Sequence, residues 1–324
     1  MEFAILGGGR WGTALGLHLA RQGHEVLIYD REPSTVESIN RGKHPYIDMD
    51  LPPSIQATTN LRDVEVFENF VCALPTQVVR EVLCKVRLRG RVVSASKGLE
   101  VGTFRRVSEI IAETQHDVRV FALSGPSFAE EVSRGLPTAV VLAYGEHRED
   151  ALELQRAFSG ENFRVYLNDD IVGVELGGAL KNIVAIACGI SDGLGFGHNA
   201  RAALITRGLL EMTRVGVHLG ASRETFFGLS GAGDLILTAT SDLSRNRTFG
   251  LLIGKGLSAD DALRRIGQVV EGVESVRAVK ELADREGIYV PITEAVYRIV
   301  ILGHEISSVV REMFLRVPGE EIVL

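Results

Sequence analysis

Along the first half of the chain, short apolar runs alternate with stretches of amphipathic spacing. Strand-like runs fall at residues 2–6, 25–29, 66–73, 91–95, 118–123 and 138–144, with 163–167 as an edge member. Helical spacing lies between them, at 11–22, 76–86, 104–114 and 147–158. Strands alternating with helices predict βαβ units and a mostly parallel sheet covered on both faces. After about Asp170 the strand pattern stops and helix follows helix, punctuated by Gly189, Gly193, Gly195, Gly197, Gly231 and Gly233. Ser258, with Asp261 three residues on, has the form of a capping box. Gly287 closes a helix over 274–286 and Pro291 opens the next. The pattern therefore predicts an α/β domain over residues 1–172, followed by an all-α domain over 173–324.

Composition narrows the function classes. The 324 residues are 45% hydrophobic and 24% charged, the balance of a globular protein with a sizeable core. Thirty-five basic residues stand against 42 acidic ones, a formal net charge of −7. That argues against nucleic acid as the main partner. Cys72, Cys84 and Cys188 are widely spaced and odd in number, which points away from a disulfide framework or a cysteine metal site and toward a reducing compartment. No secretory leader is read in MEFAILGGG, and apolar runs such as Ala139–Ala143 fall far short of the roughly 20 residues of a membrane span. The expectation is a cytoplasmic protein without stable membrane insertion or metal. Only six residues are lysine (43, 85, 97, 181, 255 and 280) in a chain that otherwise uses arginine. Arginine cannot lose its proton in a protein, whereas a desolvated lysine can.

Gly7-Gly8-Gly9-Arg10-Trp11-Gly12 follows the first strand and opens the first helix. This is the G-x-G-x-x-G arrangement in which Gly7 turns the chain, Gly9 lets backbone approach a pyrophosphate, and Gly12 permits helix–strand packing. The helix N-terminus then offers free N–H groups to the phosphates. The first domain thus reads as a Rossmann-like doubly wound sheet that binds a dinucleotide, NAD or NADP. Asp30, at the end of the second strand, suits a ribose 2′-hydroxyl, while Arg31 beside it suits a 2′-phosphate. The two signals conflict, with a slight lean to NAD.

Other candidates lie further along. Lys97 follows a strand at the sheet's carboxyl end, where ligands of such folds bind. The turn Leu123-Ser-Gly125-Pro-Ser127-Phe-Ala129 follows the next strand. Lys181 begins an apolar helical run, where burial would lower its pKa toward a range useful for proton transfer; a snorkelling lysine paired with Glu175 is the plainer alternative. Ser244 can cap the helix after Leu229–Asp234, so that its hydroxyl, neighbouring N–H groups and Arg245 would converge on an anion such as phosphate. His198 reads as a structural hydrogen-bonder, and Cys188 as a small buried hydrophobe.

The blocks GGGRWGTAL, SKGLE, LSGPSFAEEV, GALKNIVAIACGISDGLGFGHNARAALITRG, LSGAGDLILTATSDLSRNRTFG, VVEGVESV and PITEAVY together resemble the bacterial-type glycerol-3-phosphate dehydrogenases, in family order over residues 5–297. The resemblance implies an NAD(P)-dependent oxidoreductase that interconverts dihydroxyacetone phosphate and sn-glycerol 3-phosphate for glycerophospholipid synthesis, and a homodimer. It also implies residue roles. Gly7, Gly9, Arg10, Trp11, Gly12, Asp30, Arg31, Lys97, Ala129, Arg245, Val269 and Glu271 would serve the cofactor. Lys97, Gly125, Ser127, Lys181, Asp234, Ser244, Arg245 and Asn246 would meet the small phosphorylated three-carbon substrate. Lys181 would transfer the proton, with Lys97 as a second catalytic group. A related dehydrogenase of carboxylate-bearing substrates and a dinucleotide sensor without turnover are the competing readings.

Overall fold

The computed structural model describes residues 1–315. It groups them into two compact units, Met1–Lys97 with Arg106–Val174, and Gly98–Arg105 with the chain from Glu175 onward. The change between units thus falls inside a helix, and the short segment Gly98–Arg105 joins the second unit rather than the first.

In the first unit an eight-stranded sheet has the order β3-β2-β1-β4-β5-β6-β7-β8. The strands are β1 (Glu2–Leu6), β2 (Glu25–Tyr29), β3 (Ile55–Thr58), β4 (Asn69–Cys72), β5 (Gly90–Ser94), β6 (Val118–Ser124), β7 (Thr138–Ala143) and β8 (Phe163–Asn168). All neighbours are parallel except β6 and β7. The helices are α1 (Arg10–Arg21), α2 (Pro33–Asn40), α3 (Thr76–Leu83), α4 (Val107–Thr114), α5 (Ala129–Ser133) and α6 (Arg148–Phe158). Strand alternation sends Phe3, Ile5, Val26 and Ile28 to one face, where they pack with Leu15 and Leu19 of α1 and Leu154 of α6. Ala4, Leu6, Phe70 and Cys72 go to the other face, with Val79, Leu83, Ile110 and Ile111 of α3 and α4. Because both faces are covered, the strands read as unbroken apolar runs.

Three elements escape the pattern. β3 is an edge strand of sequence IQAT with little apolar signal, and α2 and α5 are short. The helix expected from 104 begins only at Val107; Phe104 has φ 59, a left-handed conformation no helix continues through.

The second unit is helical: α7 (Ile171–Gly193), α8 (Gly197–His218), α9 (Asp234–Thr240), α10 (Arg245–Gly254), α11 (Ala259–Ile266), α12 (Glu271–Glu286), α13 (Pro291–Val300) and α14 (Ile306–Leu315). By length and composition alone α7 could cross a membrane, contrary to the expectation that every apolar run is too short, but 83% of its apolar window is buried within the protein. Gly189 and Gly193 are not breaks. They lie inside α7, where a Cβ at Gly189 would sit 2.1 Å from the Arg247 carbonyl oxygen, and one at Gly193 would sit 2.6 Å from that of Leu251. Reciprocally, a Cβ at Gly250 would come within 2.1 Å of the Ile186 carbonyl, and one at Gly254 within 2.3 Å of that of Ile190. Four glycines, spaced by four on each helix, thus bring α7 and α10 into backbone contact.

Two helices of this unit start at valines, which cannot cap: Val270 before α12 and Val290 before α13. The cap of α13 comes from α8. Buried Glu211 accepts from the Ile292 and Thr293 amides at 2.7 and 2.8 Å and from the Thr293 hydroxyl at 2.6 Å. Burial raises its carboxyl above the usual range, while these bonds oppose the shift.

Two stability predictions follow from these contacts. Gly250→Ala should lower stability by about 1–3 kcal/mol, because the added methyl meets backbone that can yield only by separating two helices. Glu211→Ala should cost about 1–3 kcal/mol by leaving two buried amides without acceptors. Urea denaturation of each variant measures both, and an unchanged midpoint would contradict the corresponding contact.

Candidate active site

In the first unit, the glycine turn is built as the spacing requires. Gly7 has φ 109, and a Cβ there would lie 2.9 Å from the Ala73 carbonyl oxygen. A Cβ at Gly12 would overlap the Gly7 carbonyl at 1.9 Å. Gly9 faces open space, with nothing within 4 Å of a Cβ. It also caps α1 without a side chain, and no acidic residue stands in the helix's first turn. The first turn of α1 thus carries no negative charge of its own, which suits a pyrophosphate. Trp11 Nε1, at the start of α1, is a buried donor without a partner.

Asp30 does more than await a ribose. Its Oδ2 accepts from the Gly8 amide at 2.8 Å and its Oδ1 from the Glu32 amide at 2.9 Å, so its carboxylate clasps the glycine turn to the end of β2. Arg31 is 80% exposed and paired with Glu32 at 3.3 Å. Lys97 lies just beyond β5 and donates to the Gly125 carbonyl at 3.4 Å, and the Ser127 hydroxyl donates to the same oxygen at 3.0 Å. The structure thus brings Lys97, Gly125 and Ser127 together; Ala129 begins α5 directly after them.

In the second unit, Lys181 sits in the middle of α7, its side chain buried. Its Nζ donates to Asp234 Oδ1, and to Thr238 Oγ1 at 2.9 Å. Asp234 opens α9, where the helix dipole favours a carboxylate. Thr238 stands one turn later and donates to the Asp234 carbonyl at 2.7 Å. Gly177 permits this approach: a Cβ there would be 2.5 Å from the Ser230 carbonyl, in the π-helical turn Leu229–Gly233 that leads into Asp234. Burial alone would favour a neutral amine, and the adjoining carboxylate opposes it. Lys181 is thus a buried lysine paired with a carboxylate, its Nζ held by the Asp234 carboxylate and the Thr238 hydroxyl.

Ser244 caps α10, accepting from the Arg247 amide at 3.2 Å. The two arginines around Asn246 divide their roles. Arg247 is buried and committed, donating to Asp192 at 2.9 Å and Asp242 at 2.6 Å. Arg245 is exposed at the helix start, and no hydrogen bond or ion pair claims it among the described residues. Asn246 is buried; its Nδ2 donates to Asn182 Oδ1 and its Oδ1 accepts from the Gly272 amide, both at 2.9 Å. Its side chain is therefore engaged with protein on both sides, rather than held free for substrate. Val269 is 56% exposed just ahead of α12, which Glu271 opens.

Sequence reasoning did not single out Thr238, Asn182 or the Arg247–Asp192 pair. Only the i, i+4 spacing of Thr238 behind Asp234 carried a signal, and it needed the lysine's position to acquire meaning. His198 is exposed in the first turn of α8. Cys188 is fully buried, and burial, with Asp192 second, pushes its thiol up to about 12, which leaves it inert as a nucleophile. Among the described residues no group of three or more His, Cys, Asp or Glu is placed to hold a metal ion.

Comparison with known proteins identifies the family. The model of the NAD-dependent glycerol-3-phosphate dehydrogenase N-terminus matches residues 2–150, and that of the C-terminus matches residues 170–311. A glycerol-3-phosphate dehydrogenase [NAD(P)+] of Thermoanaerobacter sp. is 47% identical over 99% of both chains. One of Nitratidesulfovibrio vulgaris is 46% identical over 99% of this chain and 100% of its own. The crystal structure of glycerol-3-phosphate dehydrogenase from Coxiella burnetii superimposes with a TM-score of 0.93 at 40% identity, covering 97% of this chain and 99% of that one. With both halves matched and relatives aligned end to end, this chain belongs to the NAD-dependent glycerol-3-phosphate dehydrogenase family.

Proposed function

We propose that the protein reduces dihydroxyacetone phosphate to sn-glycerol 3-phosphate, and the reverse, with NADH or NADPH, using Lys181 as the proton donor and acceptor. The observation that carries this reading is the buried Lys181–Asp234–Thr238 group in the same helical unit as the uncommitted Arg245 at the start of α10. A carbonyl that becomes an alkoxide needs a cation and a proton, and a phosphate remote from it needs a fork of N–H donors.

The first turn of α1, which carries no acidic residue, and the open face of Gly9 are what a bound dinucleotide would use. When bound, the dinucleotide supplies the hydride at its nicotinamide. The Lys181 ammonium stabilises charge developing on the substrate's C2 oxygen and passes its proton there; in the reverse direction the neutral amine takes the hydroxyl proton. Asp234 and Thr238 hold the Nζ in place, so no reorganisation is needed when the charge appears. Lys97, held at the Gly125 carbonyl, is the second group able to polarise the C2 carbonyl. Ser244, the first amides of α10 and Arg245 bind the phosphate, converting its binding energy into orientation of the reacting carbon.

Asp30 favours NADH. Its carboxylate is part of the glycine turn, so a 2′-phosphate would face a fixed negative charge, and Arg31 is already paired with Glu32. Glycerol 3-phosphate supply for glycerophospholipid synthesis, a cytoplasmic location and a homodimer complete the proposal; the family resemblance supports each.

Oxidation of NADH and NADPH by dihydroxyacetone phosphate, followed in parallel by absorbance, tests the reading. Turnover with NADH ahead of NADPH is expected; binding of both without turnover would leave a sensor. Lys181→Ala should lower kcat by about 10²–10⁴-fold, the scale of general acid catalysis, and wild-type turnover in that variant would reject the assignment. Arg245→Ala should raise KM for dihydroxyacetone phosphate about ten- to hundredfold, as expected for losing a charged hydrogen-bond partner, with the dissociation constant of NADH much less changed.

A further inference from the structure

The N-terminus of α12 borrows its cap. Val270 offers no side-chain acceptor, and the Gly272 amide instead donates to Asn246 Oδ1 of α10 at 2.9 Å. The approach is close enough that a Cβ on Gly272 would stand 2.6 Å from that oxygen and 3.1 Å from the Asn182 carbonyl. An amide N–H can only donate, so it fixes the Asn246 oxygen toward α12 and the Asn246 nitrogen toward Asn182. That nitrogen donates to Asn182 Oδ1, and Asn182 Nδ2 is left buried without a partner. Asn182 is the residue after Lys181 in α7. One side chain thus ties the start of α12 to the turn of α7 that carries Lys181, from within the first turn of the helix that begins with Arg245.

We propose that Asn246 is a positioning residue that couples the two ligands: as the borrowed cap of α12 it sets the segment Val269–Glu271, so its loss weakens dinucleotide binding even when no substrate is present. The proposal rests on the reading of Val269 and Glu271 as cofactor residues. It departs from the expectation that Asn246 simply holds substrate, since a substrate ligand alone would leave the empty enzyme's affinity for NADH untouched. Coupling by this route has a physical basis, because a helix start without its cap frays over its first turn, and that turn holds Glu271.

The test measures the NADH dissociation constant by fluorescence, without substrate, in the wild type, Asn246→Ala, Asn246→Asp and Glu271→Ala. It is accompanied by hydrogen exchange at the Gly272 amide. Asn246→Ala should weaken NADH binding about tenfold, the upper range of a lost cap, and speed exchange at Gly272. Asn246→Asp keeps the acceptor for Gly272, so it should return both to near wild-type values while raising KM for dihydroxyacetone phosphate through charge repulsion. Should Asn246→Ala fail to fold, the Asn246→Asp pattern still decides: NADH affinity lost together with substrate affinity would overturn the proposal. Unchanged NADH affinity in Asn246→Ala, with Glu271→Ala weakened, would overturn the coupling alone. Unchanged affinity in Glu271→Ala would overturn both the coupling and the cofactor reading beneath it.

Discussion

The backbone contact between α7 and α10 is the constraint on which the helical unit depends. Lys181 and Asn182 lie on one helix, Ser244 caps the other, and Arg245 and Asn246 form its first turn. Gly189, Gly193, Gly250 and Gly254 let the two axes approach until carbonyl oxygens occupy the space where side chains would stand. Packed interiors yield little, so the separation of Lys181 from the Ser244–Arg245 turn is set by backbone rather than by flexible side chains. The cost is two helices weakened by glycine, which the burial of Ile183, Val184, Ile186, Phe249 and Ile253 offsets.

Around that contact, several buried charges are placed against partners. Lys181 faces Asp234, and Arg247 faces Asp192, with Arg201 on the other Asp192 oxygen. Glu211 is held by three N–H and O–H donors at the start of α13. Each charge lies where an apolar neighbour would leave its partner unsatisfied, at a cost of several kcal/mol. The exposed Arg245 is the contrasting case. A guanidinium kept out of these pairs, beside free helix amides, remains available to an anion from outside.

The first unit solves a different problem with similar means. Its glycine turn must open toward a ligand and still hold one shape, and Asp30 supplies the shape by clasping Gly8 and Glu32. The same carboxylate is then presented to whatever lies over the turn. Two backbone amides depend on this one side chain, which makes Asp30 a poor candidate for replacement.

Periodicity along the chain determined the alternating domain, its strands and the helical second half, because burial on both sheet faces and on helix stripes leaves direct marks on residue order. The glycine turn, Lys97, Lys181 and the Ser244–Arg245 segment were legible as well, since each needs particular residue types at particular spacings. Only the tertiary structure decided which partners those residues have. Nothing local to Lys181 names Asp234, 53 positions away, as a counter-ion. Nor does Val270 announce that its helix is capped by Asn246, or a glycine inside an apolar run that it admits another helix's carbonyl rather than ending its own. Edge strand β3 and short α2 and α5 were invisible because each is too short to leave a clear apolar period. Local spacing records what a segment must bury; the identity of what it is buried against is recorded only in the packed fold.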